Sequence, residues 1–112
     1  MKIEDGLYAV QFTANQSNIG SGIIVVKDGG INGGDGGYYY QGVFDTYTTE
    51  IKASINVGHH SGPTNSVFGQ ISSFTLVLSG NGADGRFLLN GGIPGQPNAR
   101  ISIQGRRIGD LA

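Results

Sequence analysis

Residues 20–44, GSGIIVVKDGGINGGDGGYYYQGVF, decide the fold. The stretch opens with a β-branched run (Ile23, Ile24, Val25, Val26) and turns at Asp28-Gly29-Gly30. It bends through Gly33-Gly34-Asp35-Gly36-Gly37 and resumes as Tyr38-Tyr39-Tyr40-Gln41-Gly42-Val43-Phe44. Two β-prone runs joined by Asp/Gly turns predict an antiparallel pair. The glycines permit sharp bends and positive φ angles that other residues tolerate poorly. Ile31 and Asn32, set between two glycine clusters, predict a short extra strand through which the sheet bends.

The rest of the chain keeps this rhythm. Residues 6–13 (GLYAVQFT) predict a strand with Tyr8, Val10 and Phe12 on its inner face, followed by a polar loop at 14–18. Further strands are predicted at 20–27, 38–45, 49–57, 73–78, 86–89 and 99–104, with the tail from Arg106 extending the last. The run at 49–57 alternates most cleanly: Ile51, Ala53, Ile55 and Val57 against Glu50, Lys52, Ser54 and Asn56. One buried and one wet face require that pattern. Turns are predicted at 79–85 (SGNGADG) and 90–98 (NGGIPGQPN), and a loop at 58–66 (GHHSGPTNS). Residues 67–72 read equally as a strand start or a bend.

Apolar residues at helical spacing are absent over any three turns, so the expected class is all-β. Short strands joined by tight turns fit an up-and-down antiparallel β-barrel of seven or eight strands, or a sandwich. The sequential hairpins favour the barrel, which also removes exposed sheet edges. A barrel of roughly eight strands is either filled by side chains or wide enough for one small ligand.

The 112 residues are expected to form a single domain spanning 1–112. The 21 glycines cluster between apolar runs without a collagen-like period, which is turn chemistry. A formal net charge of −1, with the seven Lys and Arg scattered, gives no footprint for nucleic acid. Charged residues make up only 13%, and so weakly charged a surface favours self-association. The absence of cysteine excludes disulfides and thiolate metal sites. The opening Met1-Lys2-Ile3-Glu4-Asp5-Gly6 lacks the apolar core of a signal peptide, and no run is long enough to span a bilayer, so a cytoplasmic location is expected.

The Gly33–Gly37 cluster could cradle an anion, but a phosphate loop needs Lys-Ser/Thr opening a helix, and a tyrosine strand follows instead. Adjacent His59 and His60 point to opposite faces if they lie on a strand, which does not suit a metal site. The eight acids fall mostly in turns, and neither a G-x-S-x-G elbow nor H-E-x-x-H occurs, so no enzyme activity, metal or cofactor is expected. Within Tyr38-Tyr39-Tyr40, the outer two share one strand face and Tyr39 takes the other. These three are expected either to pack at the core and a dimer contact or to line a cavity for a small apolar ligand. Arg106-Arg107 reads as a solvated strand end.

Four short motifs, Asp5-Gly6-Leu7-Tyr8, Gly20-Ser21-Gly22-Ile23-Ile24, Gly33-Gly34-Asp35 and Tyr40-Gln41-Gly42-Val43, together resemble the GrlR family. These are small bacterial proteins named for a negative regulator of type III secretion genes. The match in order and spacing runs from Ile3 to about Ile55. The resemblance implies an eight-stranded, lipocalin-like (calycin) barrel that forms a homodimer and acts by sequestering a helix-turn-helix activator. In the family that contact uses an acidic run after the Y-x-G strand. Here the matching segment is Asp45-Thr46-Tyr47-Thr48-Thr49-Glu50, with two acids in six positions. Asp45, Tyr47 and Glu50 are therefore the candidate partner-binding residues, with less electrostatic steering than a continuous acidic run would give.

The leading expectation is a GrlR-like regulatory binding protein; the alternative is a lipocalin-like carrier or sensor of a small apolar ligand. A regulator should have a filled core and an exposed partner surface near Asp45 to Glu50. A carrier should have a cavity of several hundred Å3 opening at one barrel end.

Overall fold

A computed structural model describes residues 3–15, 18–46, 50–64, 66, 68 and 71–112. Eight strands follow one another: β1 Gly6–Ala14, β2 Asn18–Lys27, β3 Gly30–Gly34, β4 Tyr38–Thr46, β5 Ile51–His59, β6 Ser73–Ala83, β7 Arg86–Gly92 and β8 Arg100–Gly109. Each pairs antiparallel with its neighbours in sequence, and β8 pairs back onto β1, so the sheet is a closed up-and-down barrel. Among the described residues there is no helix, and hence none long and apolar enough to cross a membrane.

Two hairpins close as their sequences require. Asp28 and Gly29 take φ of 51° and 81° between β2 and β3, and Asp84 and Gly85 take 57° and 77° between β6 and β7. Paired positive φ angles match the right-handed twist of the flanking strands, and Asp-Gly supplies them at low steric cost. The short strand expected around Ile31 and Asn32 is β3, whose glycines pair with β2 through Ile23↔Gly34 and Ile24↔Gly33.

Strand extends into two of the predicted turns. Residues 79–83 continue β6, and only Asp84-Gly85 turns; residues 90–92 continue β7. Gly80, Gly82 and Gly91 stand in the ladder where a neighbouring strand lies too close for a side chain. A Cβ at Gly80 would strike the Leu88 carbonyl oxygen, and one at Gly91 the Val77 carbonyl oxygen. The glycines that read as turn signals are thus points of close strand approach.

Alternation places the core inside the barrel. Tyr8, Val10, Ile24, Val26, Ile55, Leu76, Leu78, Leu89, Ile101 and Ile103 are buried, and no polar or charged residue among those described is fully buried. The two ends of the barrel differ. At the end that carries the β2–β3, β4–β5 and β6–β7 connections, buried Ile3 and Ile51 meet beside Gly82. Phe87 stacks edge-on against Phe44 at 5.5 Å and lies 5.7 Å from Tyr8. Its ring occupies the space that a side chain at Gly105 would need. This aromatic layer seals one end.

Gly42 sets the approach of β4 to β5: a Cβ there would run into the Ser54 carbonyl oxygen and come within 2.8 Å of Ile55 Cα. Gly42→Val should destabilise the barrel by at least about 1–3 kcal/mol, the usual cost of overpacking. That corresponds to a fall in melting temperature of roughly 4 °C or more for a domain of this size. Thermal unfolding followed by circular dichroism measures it; an unchanged midpoint contradicts the close approach.

Candidate functional site

Above the aromatic layer the barrel is hollow. A cavity of about 570 Å3 runs from the Phe44 and Phe87 rings to the opposite end, where it meets the β3–β4 connection and Pro63 and Ser66 of the β5–β6 connection. Its walls are mainly Val10, Ile24, Val57, Leu76, Ile101 and Ile103. An engineered apolar cavity of about 150 Å3 suffices to hold benzene. Ligand pockets for small molecules span roughly 300–1,000 Å3.

The tyrosine triplet divides as its position on a strand dictates. Tyr38 and Tyr40 are buried, point inward and line the cavity. Tyr39 stands outside, 44% exposed, with its ring laid over Gly58 on the neighbouring strand. Tyr38 donates a 2.5 Å hydrogen bond to the Ile71 carbonyl, tying the β5–β6 connection to the barrel. Tyr38 also meets the His59 ring edge-on at 5.5 Å. Phe12 packs edge-on against Tyr40 at 5.9 Å.

The charged group among the described residues of the cavity lining is Asp35, in the connection between β3 and β4. Its Oδ1 accepts hydrogen bonds from the backbone N–H of Gly37 at 2.9 Å and of Tyr38 at 2.8 Å, the local turn chemistry expected of Asp. Its Oδ2 accepts a short hydrogen bond from the Tyr40 hydroxyl. The same hydroxyl stands 2.8 Å from the place a side chain at Gly22 would begin. Gly22, Asp35 and Tyr40, from three of the four short motifs, therefore meet at one point.

These contacts fix the charge state of the pair. Burial pushes the Asp35 carboxyl up, but the bonds from Tyr40, Gly37 and Tyr38 and the nearby His60 together outweigh it, holding the carboxyl below its ordinary value. Burial, followed by the hydrogen bond to the Asp35 carboxylate and its charge, holds the Tyr40 hydroxyl well above its ordinary range. The site thus presents a carboxylate and a neutral phenol at neutral pH.

Asp35 is alone among the eight acids in standing at this open end; the others lie near the N-terminus, the C-terminus or the connections of the sealed end. The cavity lining includes no Lys, Arg or His among the described residues. His59 and His60 are instead tied to loop backbone, with His59 Nε2 2.6 Å from the Gly62 carbonyl oxygen and His60 Nε2 3.0 Å from that of Asp35. No group of three or more His, Asp or Glu close enough to hold a metal occurs among the described residues.

Of the segment singled out for partner binding, the described acids Asp45 and Glu50 lie at the sealed end. Asp45 is exposed and faces Lys52 across the β4–β5 pair. Glu50 is half-buried, with its Oε1 3.7 Å from Lys52 Nζ. Lys52 thus offsets the two acids. Tyr47 lies outside the described residues. Sequence reading missed Asp35 as a site residue because glycines surround it, which marks a turn. The signal that could have found it is the spacing Asp35–Tyr40, which spans the hairpin and brings both groups to the barrel mouth. No protein-family model matches this chain, and no curated protein matches it.

The Asp35–Tyr40 pair makes stability depend on pH at both extremes. The lowered Asp35 value contributes stability that is full above its ordinary 3.8 and is lost as pH falls through its native value. The raised Tyr40 value contributes stability that is full below 10.0 and is lost above it, because the unfolded chain ionises there first. In Asp35→Asn the acid-limb contribution should disappear and the Tyr40 ionisation should move down, towards 10.0. Tyrosine ring-carbon NMR against pH, with denaturant midpoints between pH 2 and pH 5, checks both. A Tyr40 titration identical in the two proteins contradicts the hydrogen bond.

Proposed function

We propose that this protein is a non-catalytic binding barrel that takes up a small apolar ligand through its open end, in the manner of a lipocalin-like carrier or sensor. The observation that carries the reading is the apolar cavity of about 570 Å3 above the Phe44–Phe87 layer. Apolar wall left uncovered by the chain's own side chains over a space of this size gains dispersion contacts and sheds water when an apolar molecule binds. Tyr38 and Tyr40 contribute hydroxyls to its wall, and Pro63 and Ser66 of the β5–β6 connection line its open end.

A GrlR-like regulatory role is the second reading. Its support is the convergence of Gly22, Asp35 and Tyr40: three of the four motifs that carry the resemblance meet in one structural unit of the barrel. On this reading the protein is a homodimer that sequesters a helix-turn-helix activator through the Asp45–Glu50 segment. The pairing of Glu50 with Lys52 weakens the charge available for that contact. The two readings are compatible if the ligand controls the regulator, so the cavity is the feature to test first.

A neutral fluorescent probe such as N-phenyl-1-naphthylamine should bind the delipidated protein at one site per chain, with enhanced and blue-shifted emission. Leu76→Phe and Val57→Phe, which fill the cavity from the paired strands β6 and β5, should weaken it by at least about tenfold while the far-ultraviolet spectrum stays that of the wild type, since isolated overpacking costs only a small part of a fold's stability. Absence of probe binding to the wild type refutes the carrier reading.

A further inference from the structure

The cavity is selective at its mouth as well as apolar inside. Of all the described residues that line it, one is charged, and that residue is an acid. Asp35 reaches the cavity from the β3–β4 connection, and its position is over-determined. Two backbone N–H groups hold Oδ1, and the Tyr40 hydroxyl holds Oδ2. A carboxylate oxygen offers two lone-pair directions, so Oδ2 keeps room for a second donor. The Tyr40 oxygen, while donating its hydrogen bond to Asp35, can accept one in turn.

We propose that the ligand is a long-chain amphiphile whose head donates hydrogen bonds and carries no negative charge, with the primary alkylammonium as the best case and the alcohol next. Asp35 is the residue that sets this preference. The apolar tail lies between Leu76, Ile101 and Ile103, and the head reaches Asp35 at the rim. This rests on the reading of the cavity as an apolar-ligand site and adds the head-group class to it.

The physical case is one of charge pairing. An ammonium head placed beside Asp35 exchanges water for a charge-assisted hydrogen bond, roughly twice as strong as a neutral one. A fatty-acid carboxylate in the same place would meet a like charge with no Lys, Arg or His among the described lining residues to offset it, and juxtaposed like charges across an interface weaken binding by about a hundredfold or more. An alcohol pays neither penalty and gains one neutral bond.

Competition against the neutral probe separates the possibilities, using dodecylammonium, dodecanol and dodecanoate below their micelle thresholds at pH 7. Binding in the order ammonium, alcohol, carboxylate is expected, with the carboxylate at least about tenfold weaker than the ammonium. Asp35→Asn should collapse that ratio to within about threefold, chiefly by weakening the ammonium. Dodecanoate binding as tightly as dodecylammonium to the wild type overturns the proposal. So does a ratio left unchanged in a folded Asp35→Asn protein. The wild-type ranking stands by itself if the variant does not fold. Failure of all three compounds to displace a bound probe would refute the head-group proposal together with the chain-shaped ligand, while probe binding itself keeps the cavity reading; absence of probe binding refutes the cavity reading instead.

Discussion

The pairing of β8 with β1 is the constraint on which the rest of the structure depends. Eight antiparallel strands in sequence order could as well form an open, twisted sheet with two edges and two faces. Closure turns one of those faces into an enclosed space and leaves no edge for another chain to extend. Every inward residue, from Tyr8 on β1 to Ile103 on β8, then faces the same interior. A register slip of one residue would turn that whole set outward. The ladder itself shifts only once along this pair, between Leu7 and Tyr8, near the end where β1 begins.

Inside the closed sheet, the distribution of large and absent side chains decides where the barrel is full and where it is hollow. Phe87 fits because Gly105 gives up its place to the ring. Phe44 and Tyr8 then complete a layer that Ile3 backs from the sealed end. Towards the other end, Gly22, Gly33 and Gly91 share the inward face with aliphatic side chains. With no side chains to contribute there, the walls stay apart. The inward glycines therefore do two jobs: they let strands bend and approach, and they leave volume unfilled.

Much of the architecture was legible in the sequence because it is encoded by local rules. The alternation Ile51, Ala53, Ile55, Val57 and the two Asp-Gly hairpins specify strands and turns within a few residues of chain. The short β3 could be read from Ile31 between two glycine pairs. What was not legible depends on neighbours distant in sequence. Gly80, Gly82 and Gly91 look like turn residues, yet each is set by the strand beside it. Asp35 looks like a turn aspartate, and it is one, but its second oxygen belongs to Tyr40 and the cavity mouth. Whether an eight-stranded barrel is filled or hollow is a sum over all strands, and no single stretch of sequence carries it.

Asp35 joins the two halves of the account. The same carboxylate that orders the β3–β4 connection anchors a buried phenol and charges the rim of an otherwise apolar chamber. That the chain's own side chains leave this chamber unfilled is the claim from which the functional reading follows. A crystal of the delipidated protein under xenon pressure tests it most directly, since xenon enters dry apolar cavities and not filled cores. The account predicts xenon density among Leu76, Ile101 and Ile103 with the protein atoms unmoved. A barrel interior closed over by its own side chains, without xenon, would contradict it.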